Sequence, residues 1–201
     1  GKEVSLFDAM LSEGEDEFSA VVASTRPAIV GMLEDNFNFL TKMCTTRRGE
    51  ASLRMIRDAK ASGARVAVNG SDAADSPDLY ISAGADAVIL GETDSTFLEV
   101  VERWERDPLA VLSDVPGFAL PARAVGAFAP AVKTAPRPFV RDLDALPFPA
   151  WDLVDQERYR AAWTGAHGRL SWNVVTTRGC PYRCNWCAKP LYGTRYAQRS
   201  P

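Results

Sequence analysis

Ala87-Val88-Ile89-Leu90-Gly91-Glu92-Thr93-Asp94 is the stretch on which the reading of the fold turns. Four apolar residues in a row, closed by a glycine and an acidic residue, make a strand buried on both faces that ends in a turn. Asp94 then caps a helix that puts Phe97, Val100, Val101 and Trp104 on one face. Outward from there the unit repeats. Arg65-Val66-Ala67-Val68 is a strand that stops at the turn Asn69-Gly70, and Ser76-Pro77 suit the N-cap and the first position of the next helix. Ala28-Ile29-Val30-Gly31-Met32 is another buried strand, followed by a helix from Glu50 to Ser62 with Leu53, Ile56 and Ala59 on one face. Val4 to Phe7 is a shorter apolar run ending in Asp8, after which Phe18, Val21 and Val22 come at helical spacing. Continuous apolar strands alternating with helices call for an α/β fold, a doubly wound parallel sheet covered on both faces.

Open sheets of this kind bind ligands outside the carboxyl ends of their strands, where the strand order reverses. Those ends are here Asp8, the loop from Met32 to Phe39 with Leu33, Glu34 and Asn36, the turn from Asn69 to Asp72 with Gly70 and Ser71, and Gly91-Glu92 through Asp94. Ordinary loop chemistry and helix capping use the same residue types, so on composition both readings stay open. The chain of 201 residues is 46% hydrophobic and 24% charged, which is globular, and its net charge of −3 leaves no electrostatic footprint for nucleic acid. No apolar run has the length of a membrane span and no signal sequence opens the chain, so it reads as cytoplasmic with no membrane partner.

A second chemistry sits near the other end. Cys180, Cys184 and Cys187 form a CxxxCxxC run directly after Leu170 to Val175, an alternating apolar segment that reads as a strand. Thiolates are soft ligands that select zinc, copper(I) or iron-sulfur clusters. A structural zinc site wants four protein ligands, whereas Cys44 is far upstream and His167 is the single histidine. A zinc knuckle that borrows His167, and a reduced thiol group with no metal, are the alternatives. Residues 107–139 read as a hairpin or extended connector, and Pro136, Pro138, Pro147 and Pro149 stiffen the linker beyond it. Arg158, Tyr159 and Trp163 mark a short amphipathic helix. The chain therefore divides into a sheet domain at 1–135, a proline-rich linker with a short helix at 136–165, and a cysteine-bearing segment at 166–201.

The cysteine run, with Trp186 before its last cysteine, resembles the signature of the radical S-adenosylmethionine (radical SAM) enzymes. Three further stretches precede it: Val68-Asn69-Gly70-Ser71-Asp72, then Gly84-Ala85-Asp86-Ala87 through Gly91-Glu92, and the linker Leu146-Pro147-Phe148-Pro149-Ala150-Trp151-Asp152. In that order the chain resembles the cobalamin-binding branch of the radical SAM family. The resemblance implies a flavodoxin-like (Rossmann-type) first domain that binds cobalamin, with strand order 2-1-3-4-5, followed by the beginning of a radical SAM (β/α) barrel. Val4 to Phe7 would be its second strand, and the chain, opening on Gly1 and closing on Pro201, would lack the central first strand and most of the barrel. Two positions depart from the family pattern: Asn69 stands for the first of two glycines, and Thr93-Asp94 follows Gly91-Glu92 where another acidic residue is usual.

The same resemblance implies cofactors and roles. Cys180, Cys184 and Cys187 would bind a 4Fe-4S iron-sulfur cluster whose open iron takes S-adenosylmethionine, and Trp186 would shield the cluster edge or pack near the adenosine. Asp8, Met32, Leu33, Glu34, Asn36, Gly70, Ser71, Asp72, Gly91 and Glu92 would line the cobalamin site. The expected activity is methyl transfer to an unactivated carbon or phosphorus centre of a small-molecule or peptide substrate, fed by an electron donor of flavodoxin or ferredoxin type. Ring formation or rearrangement is the alternative within the family, and a non-catalytic cobalamin or iron-sulfur protein the alternative outside it. No Asp-x-His-x-x-Gly motif is present, so cobalamin would take no lower ligand from a protein histidine. No residue is singled out as a general acid or base.

Overall fold

The sheet is built from the short apolar runs that periodicity marks as strands. In a computed structural model, which describes residues 3–33, 45–122, 130–172, 174–187 and 194–201, β1 (Ile29–Leu33), β2 (Arg65–Asn69) and β3 (Ala87–Ile89) pair in parallel. Val30 lies opposite Val66, and Val68 opposite Val88. Successive side chains on a strand point to opposite faces, and both faces of this sheet are buried. Val66, Val68 and Val88 join one apolar cluster with Phe18, Val22, Ile56, Ala59 and Tyr80. Ala67, Ala87 and Ile89 join a second with Val100, Trp104, Val115 and Phe118. The first cluster draws on α1 (Glu15–Thr25), α2 (Thr45–Ala61), α3 (Ser71–Asp75) and α4 (Pro77–Ser82), and the second on α5 (Thr93–Arg106). Each Val, Ile or Phe removed from water in this way contributes about 1.5–3 kcal/mol.

The sheet corrects the sequence reading in one respect. It is mixed, because β4 (Phe118–Leu120) runs antiparallel to β3 and β5 (Val132–Lys133) antiparallel to β4, so four of the five strands share one direction. The cause lies in residues 107–117, which carry the chain from the end of α5 back to the carboxyl end of β3, where Leu90 donates its N–H to the carbonyl of Gly117 at 2.7 Å. β4 must then descend. The strand order is β1-β2-β3-β4-β5, and its run of three adjacent parallel strands is compatible with a flavodoxin-like (Rossmann-type) sheet. The expected hairpin within 107–139 is formed by β4 and β5.

Residues 3–8 are not a strand. Val4 and Leu6 are exposed, while Phe7 stacks edge-on against Phe18 of α1 at 5.3 Å, so the segment lies against a helix rather than along the sheet. β1, at the sheet edge, is half-buried rather than enclosed. It is pressed close to α5: a Cβ on Gly31 would come within 2.4 Å of the Phe97 ring. Asp94 is not the N-cap of α5; Thr93 begins the helix and Glu92 occupies the cap position. Ser76 does take the N-cap position of α4, with Pro77 in the first turn, but its hydroxyl makes no capping bond.

After the sheet the chain runs through a short 3-10 turn (Trp151–Leu153) to α6 (Gln156–His167), capped by the Asp155 carboxylate on the Arg158 N–H at 3.0 Å and closed by Gly168 at φ 72°. The described residues of Leu170 to Val175 form no strand, and Val174 and Val175 are exposed. The strand comes later, as β6 (Thr177–Gly179), which pairs antiparallel with β7 (Tyr196–Gln198). Exposed valines lack a second layer to pack against, and the ladder forms where Arg178 and Ala197 find partners.

Candidate functional site at the carboxyl edge of the sheet

Leu33, Asn69 and Ile89 end the three parallel strands at one edge. Leu33 is 71% exposed there, and Met32 packs against the first apolar cluster. The Asn69 side-chain amide donates to the carbonyl of Ile89 at 3.1 Å, tying two strand ends together. Gly70 is the N-cap of α3, whose first residues are Ser71 and Asp72, and the Asp72 carboxylate accepts from the Tyr80 hydroxyl at 2.7 Å. Gly91 turns at φ 83°, a left-handed conformation that suits glycine, and delivers Glu92. Glu34 and Asn36, like Cys44, lie outside the described residues. Asp8 has its own partners: one carboxylate oxygen accepts from the Met10 N–H at 3.0 Å and the other from the Tyr159 hydroxyl of α6 at 2.7 Å. Burial, followed by the hydrogen bond to Asp8, pushes the Tyr159 phenol well above its ordinary value.

Glu92 has the most unusual environment of these residues. It is 3% exposed, and both its carboxylate oxygens are occupied, one accepting the Val140 N–H at 2.8 Å and the other Arg178 Nη1 at 2.7 Å. Arg178 Nη2 continues to Asp94 at 2.6 Å. The guanidinium thus spans two carboxylates, a geometry that its planar fork permits and an ammonium does not. Arg178 stands in β6, two residues before Cys180. The cysteine loop is therefore rooted at the carboxyl edge of the sheet.

Along that loop Cys180 is half-buried while Cys184 and Cys187 are exposed, and none of the three is in a disulfide. The Cys187 N–H donates to the Cys184 carbonyl at 3.2 Å, which folds the last two cysteines into one turn. Trp186 is 87% exposed beside them. Among the described residues no three His, Cys, Asp or Glu side chains are gathered tightly enough to hold a metal ion. Three thiols on one short open loop, two of them in a common turn and facing solvent, nevertheless fit a cluster with thiolate ligands by donor type and access.

No protein-family model matches the chain, and no solved structure does. It is 31% identical over 147 residues to an uncharacterized methyltransferase of Synechocystis sp., a match covering 73% of this chain and 22% of that protein. An uncharacterized methyltransferase of Pyrococcus horikoshii is 30% identical over 116 residues, 57% of this chain and 23% of that protein. The anaerobic magnesium-protoporphyrin IX monomethyl ester cyclase of Synechocystis sp. is 33% identical over 70 residues, 35% of this chain and 13% of that protein. The chain spans under a quarter of the length of the curated relatives it matches. Among its described residues no helix is long and apolar enough to cross a membrane.

Arg178 and Val140 are the site residues that sequence reading passes over. Arg178 is separated by 86 positions from Glu92, and no periodicity links a single arginine to a distant acid. Asp86 is legible as part of a motif but not in its role: its Oδ2 accepts from the Val66 N–H at 2.7 Å and from Lys60 at 2.8 Å, pinning the start of β3 to β2 and α2.

Proposed function

We propose that this chain carries the cofactor-binding part of a cobalamin-dependent radical SAM enzyme that methylates an unactivated carbon or phosphorus centre. The observation that carries this reading is the placement of the three-cysteine loop at the carboxyl edge of the parallel strands, where open α/β sheets hold their ligands. Cys180, Cys184 and Cys187 would hold the 4Fe-4S cluster, with Trp186 free to cover its edge, and the strand ends from Leu33 to Gly70-Ser71 would receive cobalamin. Once bound, these groups supply the electron that cleaves S-adenosylmethionine and the methyl group that is transferred. The protein's own part would be to present thiolates and fix the separation of the two sites. His167 packs against Trp163 at 4.7 Å on α6 and would not be among the residues that hold cobalamin. A small-molecule or peptide substrate and an electron donor of flavodoxin or ferredoxin type complete the proposal. The names of two relatives favour methyl transfer, and that of the third makes ring formation the second reading.

The test is reductive cleavage. Full-length protein, reconstituted anaerobically and given dithionite and S-adenosylmethionine, is expected to release 5′-deoxyadenosine and S-adenosylhomocysteine. A protein that binds its cofactors but cleaves nothing is a sensor, and the enzyme reading falls.

A further inference from the structure

We infer that Glu92 and Arg178 form a positioning clasp that sets where the cysteine loop stands over the sheet, and that Glu92 acts through Arg178 instead of touching a cofactor. The inference rests on the proposed cluster and cobalamin sites for its functional meaning, though the clasp itself is independent of them. Its first support is electrostatic. A carboxylate taken out of water costs several kcal/mol unless charge and hydrogen bonds replace its hydration. Glu92 meets that demand within the protein: at 3% exposure, one carboxylate oxygen accepts the Val140 N–H and the other accepts from Arg178. Asp94, half-exposed, shares the remaining face of the guanidinium.

The second support is mechanical. Both ends of the clasp stand at secondary structure: Glu92 lies between the Gly91 turn and the start of α5, and Arg178 is mid-strand in β6, opposite the buried Ala197. A further strut holds the partner strand, where Arg199 donates to the carbonyls of Leu146 at 3.1 Å and Pro147 at 2.9 Å, and the Ser200 N–H donates to Asp144 at 3.0 Å. Val140 brings the linker to the same glutamate. One buried carboxylate therefore joins strand end, linker and cysteine hairpin. Misplacement by 1 Å costs a catalytic constellation about 100-fold in rate, so such a joint belongs where two cofactors must meet.

Hydrogen exchange of the full-length protein, before any cofactor is added, tests the clasp alone. Arg178→Met is expected to raise exchange across residues 177–187 by roughly 10-fold or more while β2 and β3 keep their protection. Glu92→Ala should do the same, and the double variant should add little, because the two residues act as one unit. If Glu92→Ala does not fold, Arg178→Met decides by itself. In the reconstituted protein, the spin coupling between cob(II)alamin and the reduced cluster reports their separation. Arg178→Met should broaden it at unchanged iron and cobalt content, and Arg178→Lys should restore it in part. Unchanged exchange at 177–187, or additive effects in the double variant, would overturn the clasp. The expected exchange effects in the variants, with a wild-type protein that shows no iron-sulfur signal, would leave the clasp standing and remove the cofactor reading.

Discussion

The sheet and the cysteine hairpin are held by different physics. Between Val66 and Phe118 nearly every apolar side chain on the strands is buried, and two clusters enclose the sheet from either face. From Val174 to Cys187 the chain is largely exposed, and polar groups fasten the hairpin: Arg178 to Glu92 and Asp94, Arg199 to two linker carbonyls. Apolar burial is non-directional; a fork of hydrogen bonds fixes one geometry. The sheet thus supplies stability, and the hairpin is positioned against it by directional contacts.

Two tryptophans give the largest expected contrast. Trp104 is 2% exposed in the second cluster, under the guanidinium of Arg65 at 4.5 Å, so Trp104→Ala should lose about 3–5 kcal/mol in denaturant unfolding. Trp186→Ala, at the solvent-facing cysteine loop, should stay within about 0.5 kcal/mol. Equal losses at the two positions would erase the distinction between the regions. Gly31→Ala comes next. Its new Cβ would collide with Phe97, so about 1–3 kcal/mol should be lost in the wild-type background and little when Gly31→Ala is made in a Phe97→Ala background. Additive losses would show that α5 does not press on β1.

The smallest effect is expected at the contact between Asp8 and Tyr159, where Tyr159→Phe should cost about 1 kcal/mol. Its pH dependence has a definite sign. The phenol's proton is held more tightly in the folded chain than in the unfolded one, whose tyrosines ionise near pH ~10. The stabilisation is therefore complete below that pH and is lost as the pH climbs toward the folded value, and Tyr159→Phe should remove this alkaline slope. A slope that persists in the variant would assign it to another group.

Legibility in the sequence divides along the same line. Runs such as Val66-Ala67-Val68 and Ala87-Val88-Ile89 announce themselves because burial on both faces demands unbroken apolarity. The helix from Thr45 to Ala61 is legible only from Glu50, since its later turns alone carry the buried Ile56 and Ala59. Val4 to Phe7 and Leu170 to Val175 resemble strands on pattern alone, but a strand also requires a partner, which is a property of the fold and not of the segment. The antiparallel turn at β4 depends on the path of residues 107–117, which composition does not encode. The cysteine loop can be read from its spacing, whereas its anchor on Glu92 joins residues too far apart for any local pattern.

Metal content of the full-length protein, purified and reconstituted without oxygen, decides whether Cys180, Cys184 and Cys187 hold an iron-sulfur cluster. Wild type and Cys44→Ser should both carry iron and sulfide with the broad absorbance of an iron-sulfur cluster, and Cys180→Ser, Cys184→Ser and Cys187→Ser should each lose it. Stoichiometric zinc in the wild type, with neither sulfide nor that absorbance, would contradict the account.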